Sequence, residues 1–280
     1  MSHTFTAAAI QLVSGDDLAA NLARAEAWVA EAAAAGAQLV ALPEYFYLMP
    51  EHDSARLALA EPFGHGPLQQ RMAALAARHG VWLLAGTLPL QGSQPQRFHN
   101  SSLLYGPQGQ CVARYDKLHL FGFDDGHERY AEADTMQPGD AITSADTPWG
   151  SLRLSVCYDL RFPELYRQAP APVLISVPAA FTHTTGQAHW ELLLRARAVE
   201  NLAFVIAPGQ GGVHPGGKRT FGHSMIIDPW GQVLACHATG EGMAVATLDT
   251  HRQQTWRTRL PALQHRRFTS PSFIATQEKP

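Results

Sequence analysis

Cys157 stands at a point where a strand is predicted to end and a helix to begin. Residues 154–156 are apolar or small, and Phe162-Pro163-Glu164 starts a helix, because proline is tolerated in the first helical turn and an acidic residue there faces the positive end of the dipole. A sharp turn of this kind lifts its side chain off the sheet and directs backbone N–H groups at one spot, which suits a nucleophile. The alternative for a single cysteine is a buried structural thiol.

Glu44 and Lys117 also follow predicted strands. Glu44 comes after the unbroken apolar run Leu39–Leu42, although taken alone it is compatible with a solvated loop position. Lys117 precedes the apolar and aromatic run Leu118–Phe121, where its ammonium group needs a carboxylate partner to stay charged. If both reach Cys157, Glu44 can take the thiol proton, the thiolate can attack a carbonyl carbon, and Lys117 with the Tyr158 N–H can hold the oxyanion. Water then hydrolyses the thioester.

The elements that must position these residues alternate between strands and helices, which is typical of an α/β sheet. Strands are predicted over 4–12, 38–42, 81–86, 152–156, 173–177, 203–207, 223–228, 232–237 and 243–248, and a hairpin over 98–115. Helices are predicted over 18–35, 68–78 and 187–201. Residues 122–150 are rich in Gly, Asp and Pro and are predicted to form a functional loop. No linker or repeat is evident, so one domain is expected over 1–268, followed by a tail over 269–280.

Composition and charge narrow the class of function. The chain has 280 residues, 46% hydrophobic content and a net charge of −3 with no basic run, which argues against nucleic acid and anionic membrane partners. A small, roughly neutral substrate or a protein partner fits better. Three cysteines without a CxxC pair indicate neither a disulfide framework nor a zinc cluster. No leader peptide or spanning segment is recognisable, so a cytoplasmic protein is expected.

Three segments of the chain resemble the signature segments of the nitrilase superfamily, the carbon–nitrogen hydrolases with a Glu-Lys-Cys triad. They are Leu42-Pro43-Glu44, Tyr115–Phe121 and Cys157–Leu165. Their order and wide spacing match, and residues 180–191, 195–201 and 222–231 are similar to those of Nit-type amidases. The similarity covers about residues 4–268. Tyr158-Asp159 after the cysteine favours an amidase, because true nitrile hydrolases resemble Cys-Trp-Glu at that point.

The resemblance implies a four-layer α-β-β-α sandwich in a single domain, with no metal and no cofactor. It also implies a homodimer or higher homo-oligomer, commonly paired through the helix that follows the nucleophile. The family's additional glutamate corresponds to Glu132, with Glu128 as the competing choice. Segments 128–139 and 209–223 look most like amidases that act on deaminated glutathione. The ω-amidases, which act on acids similar to α-ketoglutaramate, are an alternative, as is a non-catalytic interaction protein with the same fold.

Six residues close in sequence to the triad segments are candidates for substrate binding: Tyr45, Tyr158, Arg161, Phe181, Thr182 and Thr185. Arg161 could bind a substrate carboxylate, but a structural ion pair with Asp159 or Glu164 is the favoured expectation. Residues 212–218 match the spacing of a phosphate-binding loop. However, Arg219 replaces the required Ser or Thr and Pro215 interrupts the loop, so nucleotide binding is not favoured.

Overall fold

The computed structural model describes residues 4–124, 126 and 129–268. The strands of the first half of the chain are β1 (Thr4–Gln11), β2 (Leu39–Ala41), β3 (Trp82–Leu84), β4 (Leu88–Gln91), β5 (Phe98–Tyr105), β6 (Cys111–Asp116), β7 (Gly122–Asp124) and β8 (Arg129–Ala131). Those of the second half are β9 (Ser144–Thr147), β10 (Gly150–Leu154), β11 (Leu174–Ser176), β12 (Phe204–Ala207), β13 (Gly211–Val213), β14 (Arg219–Phe221), β15 (Ser224–Ile227), β16 (Val233–His237) and β17 (Gly242–Asp249). The α-helices are α1 (Leu18–Ala34), α2 (Ser54–Leu57), α3 (Pro67–His79), α4 (Pro163–Tyr166), α5 (His183–Asn201) and α6 (Thr250–Arg259).

The first sheet contains the strands that lead to Glu44 and Lys117. Its order is β17-β1-β2-β3-β5-β4, and β6 also pairs with β5. Strands β1, β2 and β3 are parallel, whereas β17 is antiparallel to β1 over its whole length. Glu44 follows the end of β2. The β5–β6 hairpin brings Lys117 beside β5, where its backbone N–H donates to Asn100 O at 3.0 Å.

The second sheet has six strands in the order β16-β15-β12-β11-β10-β9 and contains the strand that leads to Cys157. Strands β10, β11 and β12 are parallel to one another. Their carboxyl ends therefore lie at the same edge of the sheet, which is where sites form in parallel sheets. Cys157 follows β10 at this edge, and residues 177–182 follow β11.

Alternating side chains of β1 show how the layers stack. Ala7 and Ala9 belong to an apolar cluster that also includes residues of β10, β11, β12 and α5, so this cluster fills the space between the two sheets and beneath α5. Ala8 and Ile10 point the other way and pack with α1 and α3. The order of layers is helices, first sheet, second sheet, helices. The predicted α-β-β-α sandwich is confirmed.

Several elements differ from the sequence prediction. The region 122–150 contains strands β7, β8 and β9 and is not a continuous loop. Strand β17 follows β15 and β16 in the chain, but it pairs with β1 in the first sheet. Helix α6 was not predicted; the Asp249 carboxylate caps it by accepting from the N–H groups of His251 and Arg252. Short strands and polar helices carry weak periodicity, so tertiary pairing decides them. No helix in the described ranges is long and apolar enough to cross a membrane.

Candidate active site

Cys157 has a backbone conformation that few residues other than glycine adopt. Its φ is 48°, and its N–H donates to Pro178 O at 2.9 Å. It begins a short 3-10 helix, Cys157–Arg161, which leads into α4. A positive φ at a residue with a side chain costs energy and is found mainly at functional turns. The predicted elbow is therefore present, although the α-helix that follows has only four residues.

Lys117 lies between two carboxylates. Its Nζ donates to Glu44 Oε1 at 2.9 Å and to Glu132 Oε1 at 2.8 Å, and its side chain is fully buried. Glu44 also accepts from the Ala180 backbone N–H, at 2.9 Å to Oε2. Segments separated by more than 70 residues in sequence thus meet at one ammonium group. Two of its three N–H donors bind these carboxylates, which leaves one for another acceptor.

Burial governs the protonation of this cluster. It raises the pKa of the Cys157 thiol well above its usual value, and the nearby negative charge of Glu44 adds to the effect, while Lys117 opposes it. Burial also raises the pKa of Glu132. For Lys117 burial acts against the charge, but Glu132 and Glu44 outweigh it and raise the pKa. At neutral pH the lysine is charged and the thiol is protonated, so the thiol needs a base before it can attack.

Glu132, and not a surface carboxylate, occupies the position beside Lys117. Its Oε1 accepts from the Tyr45 hydroxyl at 2.7 Å, and its Oε2 accepts from the Phe121 N–H at 2.7 Å. The competing residue, Glu128, lies outside the described residues. Tyr45, expected to bind substrate, instead uses its hydroxyl to hold Glu132, although its ring lines the cleft.

Asp159 connects the cysteine turn to the lysine segment. Its Oδ2 accepts from the Val156 N–H at 2.8 Å and from the Tyr115 hydroxyl at 2.7 Å. Its Oδ1 lies 2.7 Å from His119 Nδ1 and accepts from the His119 N–H at 3.1 Å. Tyr115 and His119 flank Lys117 on both sides. A single buried carboxylate thus links the segment that carries Lys117 to the turn that carries Cys157.

We expect Asp159→Asn to destabilise the fold and to slow turnover. The amide nitrogen that replaces Oδ2 would face the Val156 and Tyr115 donors, which leaves buried donors unpaired and costs about 1–3 kcal/mol. Displacement of Lys117 should lower kcat by about tenfold or more. Urea unfolding and steady-state kinetics measure the two effects. Tyr115→Phe removes the hydroxyl that donates to Asp159 and accepts from the Leu118 N–H, but it leaves the carboxylate with its Val156 and His119 partners. It is the matched control and should give the smaller loss of stability and of kcat. Equal losses of stability and kcat in the two variants would contradict the role of Asp159 as the link between the two segments.

Asn100 is a site residue that the sequence analysis missed. It lies in β5 with no exposed surface, and its Nδ2 donates to Glu44 Oε1 at 2.8 Å. Gln210 was also missed; its Nε2 donates to the backbone oxygen of Glu44 at 3.1 Å. A polar residue within an otherwise buried strand was the available signal for Asn100, because buried amides are retained only where they are hydrogen-bonded.

The cleft around Cys157 has two lobes. One lobe, of about 220 Å³, is lined by Phe121, Tyr158, Arg161, Phe181 and Thr185. The other, of about 550 Å³ and open to solvent, is lined by residues that include Glu44, Tyr45, Glu132 and Arg219. Four residues line both lobes: Phe121, Cys157, Ala180 and Thr182. All six residues predicted to bind substrate therefore border the cleft, Tyr45 in the larger lobe.

Arg161 is not paired as expected. Asp159 is committed to other donors, and Arg161 makes no ion pair with a carboxylate within the described part of the chain. Its guanidinium instead lies 3.3 Å from His189 Nδ1 and 5.3 Å from the centre of the Phe181 ring. The predicted pair with Asp159 or Glu164 is wrong, because Asp159 is used to anchor the lysine segment. Arg161 keeps its charge available on the wall of the smaller lobe.

Two other sequence features can be located. Residues 212–218, which have the spacing of a phosphate-binding loop, form part of the β13–β14 hairpin with a 3-10 turn at Pro215–Gly217. A phosphate-binding loop would join a strand to a helix. Among residues 4–124, 126 and 129–268, no three His, Cys, Asp or Glu side chains are grouped so that they could hold a metal ion.

Comparison with known proteins agrees with this geometry. The model of the family described as carbon-nitrogen hydrolase matches residues 6–258. The chain is 44% identical over 268 residues to a Yersinia enterocolitica protein named deaminated glutathione amidase, covering 94% of this chain and 93% of that protein. The crystal structure of the C. elegans NitFhit protein aligns with a TM-score of 0.87 at 35% identity, over 95% of this chain and 66% of that chain. Saccharomyces cerevisiae Nit3, described as a member of branch 10 of the nitrilase superfamily, aligns with a TM-score of 0.83 at 30% identity, over 95% and 97%.

Proposed function

Because this chain belongs to the carbon–nitrogen hydrolase family, we propose that it is a cysteine-dependent amidase whose substrate is deaminated glutathione. Its family and its relatives identify it as an amidase that acts on C–N bonds. The catalytic roles and the substrate are the proposal. One observation carries it: a fully buried lysine, bonded to two carboxylates, lies near enough to Cys157 for each group to shift the other's pKa, and Cys157 lies on a strained turn that lines an open cleft.

In the proposed acylation, Glu44 takes the proton of the Cys157 thiol as the sulfur attacks the amide carbon. Lys117 Nζ and the Tyr158 N–H stabilise the oxyanion of the tetrahedral intermediate. The Tyr158 N–H is available because it lies in the first turn of the 3-10 helix, where N–H groups lack acceptors within the helix. Glu44 then returns its proton to the amide nitrogen, the C–N bond breaks, and the amine leaves. The product on the enzyme is a thioester.

Deacylation uses the same groups, with water in place of the thiol as the nucleophile. Glu44 takes a proton from water, and the resulting hydroxide attacks the thioester carbon while Lys117 again holds the oxyanion. Collapse of this intermediate breaks the C–S bond, and the proton held by Glu44 returns to the sulfur. Glu132 keeps Lys117 charged and oriented throughout.

The substrate assignment rests on the unpaired charge in the smaller lobe as well as on the names of the relatives. Deaminated glutathione carries a 2-oxo acid on its acyl side, and Arg161 can bind that carboxylate with two parallel hydrogen bonds. The rings of Tyr158 and Phe181 cover the apolar part of the acyl chain in this arrangement. The ω-amidase alternative shares this acyl group but releases ammonia.

Product analysis tests the proposal directly. We expect the enzyme to release 2-oxoglutarate and cysteinylglycine from deaminated glutathione, and to act on 2-oxoglutaramate, with ammonia as the product, at lower kcat/KM. Faster turnover of 2-oxoglutaramate would favour the ω-amidase. Absence of both turnover and a thioester on Cys157, with a panel of amides, would favour a non-catalytic interaction protein.

We expect Arg161→Gln to raise KM for amides that carry a carboxylate on the acyl side by about 10–100-fold, because the variant loses a charged, bidentate contact. The affected readout is kcat/KM for 2-oxoglutaramate compared with a neutral amide of the same length. Arg161→Lys keeps the charge but not the planar fork, so it should recover only part of the loss. If Arg161→Gln lowers kcat/KM equally for the charged and the neutral amide, Arg161 instead has a structural role.

We propose that the chain works in the cytoplasm as a homo-oligomer. Leu192 and Val199 on α5, together with the neighbouring Trp230, are exposed apolar residues on one outer surface, which pairing of two copies would cover. All three cysteines are free thiols, as expected in a reducing compartment. Light scattering of the wild type and of Leu192→Asp measures the oligomeric state, with dissociation expected for the variant.

A further inference from the structure

The larger lobe contains a cation that has no carboxylate partner in the described part of the chain. Three cations, Arg56, Lys218 and Arg219, line this lobe together with three carboxylates. Two of these carboxylates, Glu44 and Glu132, bind Lys117, and the third is Asp53. Asp53 Oδ1 lies 3.0 Å from Arg56 Nη1 and 2.9 Å from Lys218 Nζ, so one carboxylate already serves two cations. Within the described part of the chain, Arg219 has no carboxylate within salt-bridge distance. An excess of positive charge therefore remains in a cleft open to solvent.

The backbone that carries Arg219 is fixed on both sides. Lys218 before it is tied to Asp53, and the hydroxyl of Thr220 after it lies 2.7 Å from His214 Nε2. His214 is itself buried, with Nδ1 2.8 Å from Ser14 O. Thr220 also forms an antiparallel bridge with Thr182, which lines the cleft next to Cys157. Arg219 is thus an exposed cation held on a rigid hairpin at the edge of the site, and not on a free loop.

The two lobes, which meet at Cys157, are lined by different cations. Cys157 lines both, Arg161 belongs to the smaller lobe alone, and Lys218 and Arg219 belong to the larger lobe alone. When the acyl group lies against Arg161, the amine side of the scissile bond extends into the larger lobe. A substrate with a carboxylate on its amine side can then pair with the second group of cations.

We propose that Arg219, supported by the charge of Lys218, binds a carboxylate on the leaving group. The substrates preferred by this enzyme are therefore amides with a carboxylate on each side of the scissile bond. This inference rests on the proposed function, because a leaving group exists only if Cys157 cleaves amides. Deaminated glutathione has both carboxylates, whereas 2-oxoglutaramate lacks the second one.

Comparison of two substrates with the same acyl group isolates this contact. We expect Arg219→Gln to lower the ratio of kcat/KM for deaminated glutathione to kcat/KM for 2-oxoglutaramate by about tenfold, the effect of one lost charge pair in a partly open cleft. With the wild-type enzyme, the C-terminal amide of deaminated glutathione should have a kcat/KM about tenfold below that of deaminated glutathione itself, because it lacks the carboxylate on the leaving group. Arg78→Gln on α3, an exposed arginine outside the cleft, is the matched control and should leave the ratio unchanged. An unchanged ratio in Arg219→Gln overturns the inference.

A second measurement needs no turnover and separates the two proposals. Iodoacetylglycine and its neutral amide alkylate thiols, and mass spectrometry of the peptides assigns the rate to Cys157. We expect the wild type to favour the anionic reagent at Cys157, and Arg219→Gln to reduce that preference several-fold. If the wild type hydrolyses neither substrate, the proposed function fails and the alkylation preference still decides the role of Arg219. Equal preference in wild type and variant would remove Arg219 from anion binding.

Discussion

Cys157→Ala is expected to abolish amide hydrolysis, with kcat at least about 10⁴-fold below the wild type. In the proposed mechanism the sulfur forms the acyl-enzyme, and neither Glu44 nor Lys117 can form a comparable intermediate without it. The fold should persist, because alanine fits the positive-φ turn no worse than cysteine and the Cys157 N–H keeps its bond to Pro178. Kinetics with deaminated glutathione and near-ultraviolet circular dichroism measure the two properties.

The chain supplies matched controls for this prediction. Cys111 and Cys236 are free and exposed, and alanine at either position should leave kcat unchanged. Mass spectrometry of wild-type enzyme quenched during turnover should detect an acyl adduct on Cys157 and on neither of the other two. Residual hydrolysis by Cys157→Ala above about one tenth of the wild-type rate would exclude the sulfur as the nucleophile.

Lys117→Met is expected to remove activity and to destabilise the fold together. Loss of an oxyanion donor alone lowers kcat by about 10²–10³-fold. In addition, the carboxylates of Glu44 and Glu132 would remain buried without their shared cation, and breaking a buried ion pair from one side costs about 3–5 kcal/mol. Urea unfolding measures the second effect.

The free energy of unfolding of Lys117→Met should fall as the pH rises. Burial already raises the pKa of Glu132 although Lys117 opposes the shift, so removal of Lys117 raises that pKa further. The native carboxyl then binds a proton more tightly than the unfolded one. The stability of Lys117→Met should therefore fall as pH rises from about 4.3, the value for an unfolded glutamate, to the raised pKa of the native group.

A second substitution tests whether the destabilisation comes from uncompensated charge. Glu132→Gln in the Lys117→Met background removes one of the two carboxylates, so the double variant should be more stable than Lys117→Met alone. Additive losses would show that packing, and not charge, holds this cluster together. In either background catalysis stays low, because the oxyanion donor is absent.

Much of the fold was predictable because its signals are local. The helix over 18–34 has a capping Asp17, and the helix over 67–79 ends at Gly80 in the left-handed conformation that glycine favours. The short apolar strands were recognisable as unbroken runs of apolar residues, the pattern that is typical of strands buried on both faces. The sheet to which strand β17 belongs could not be predicted, because its alternation does not encode the identity of its partner.

The three residues proposed to be catalytic were selected from the sequence, since each follows a strand and each lies in a segment resembling a known family. Their supporting residues were not. Asn100 and Gln210 touch Glu44 from strands or turns far away in the chain, and Asp159 was misjudged as a partner for Arg161. A buried polar side chain is tolerated only where hydrogen-bonding partners surround it, and here those partners come together only when the two sheets pack.

By itself the sequence therefore determined most of the strands and helices, the turn at Cys157 and the types of group available for chemistry, because backbone preference and residue type are local properties. Only the tertiary structure decided which groups meet and which charges remain free. It placed Lys117 between Glu44 and Glu132, used Asp159 as an anchor and left Arg161 and Arg219 in different lobes of the cleft around Cys157. The physical reason is that electrostatic and hydrogen-bonding energies depend on distances between segments that lie far apart in the chain.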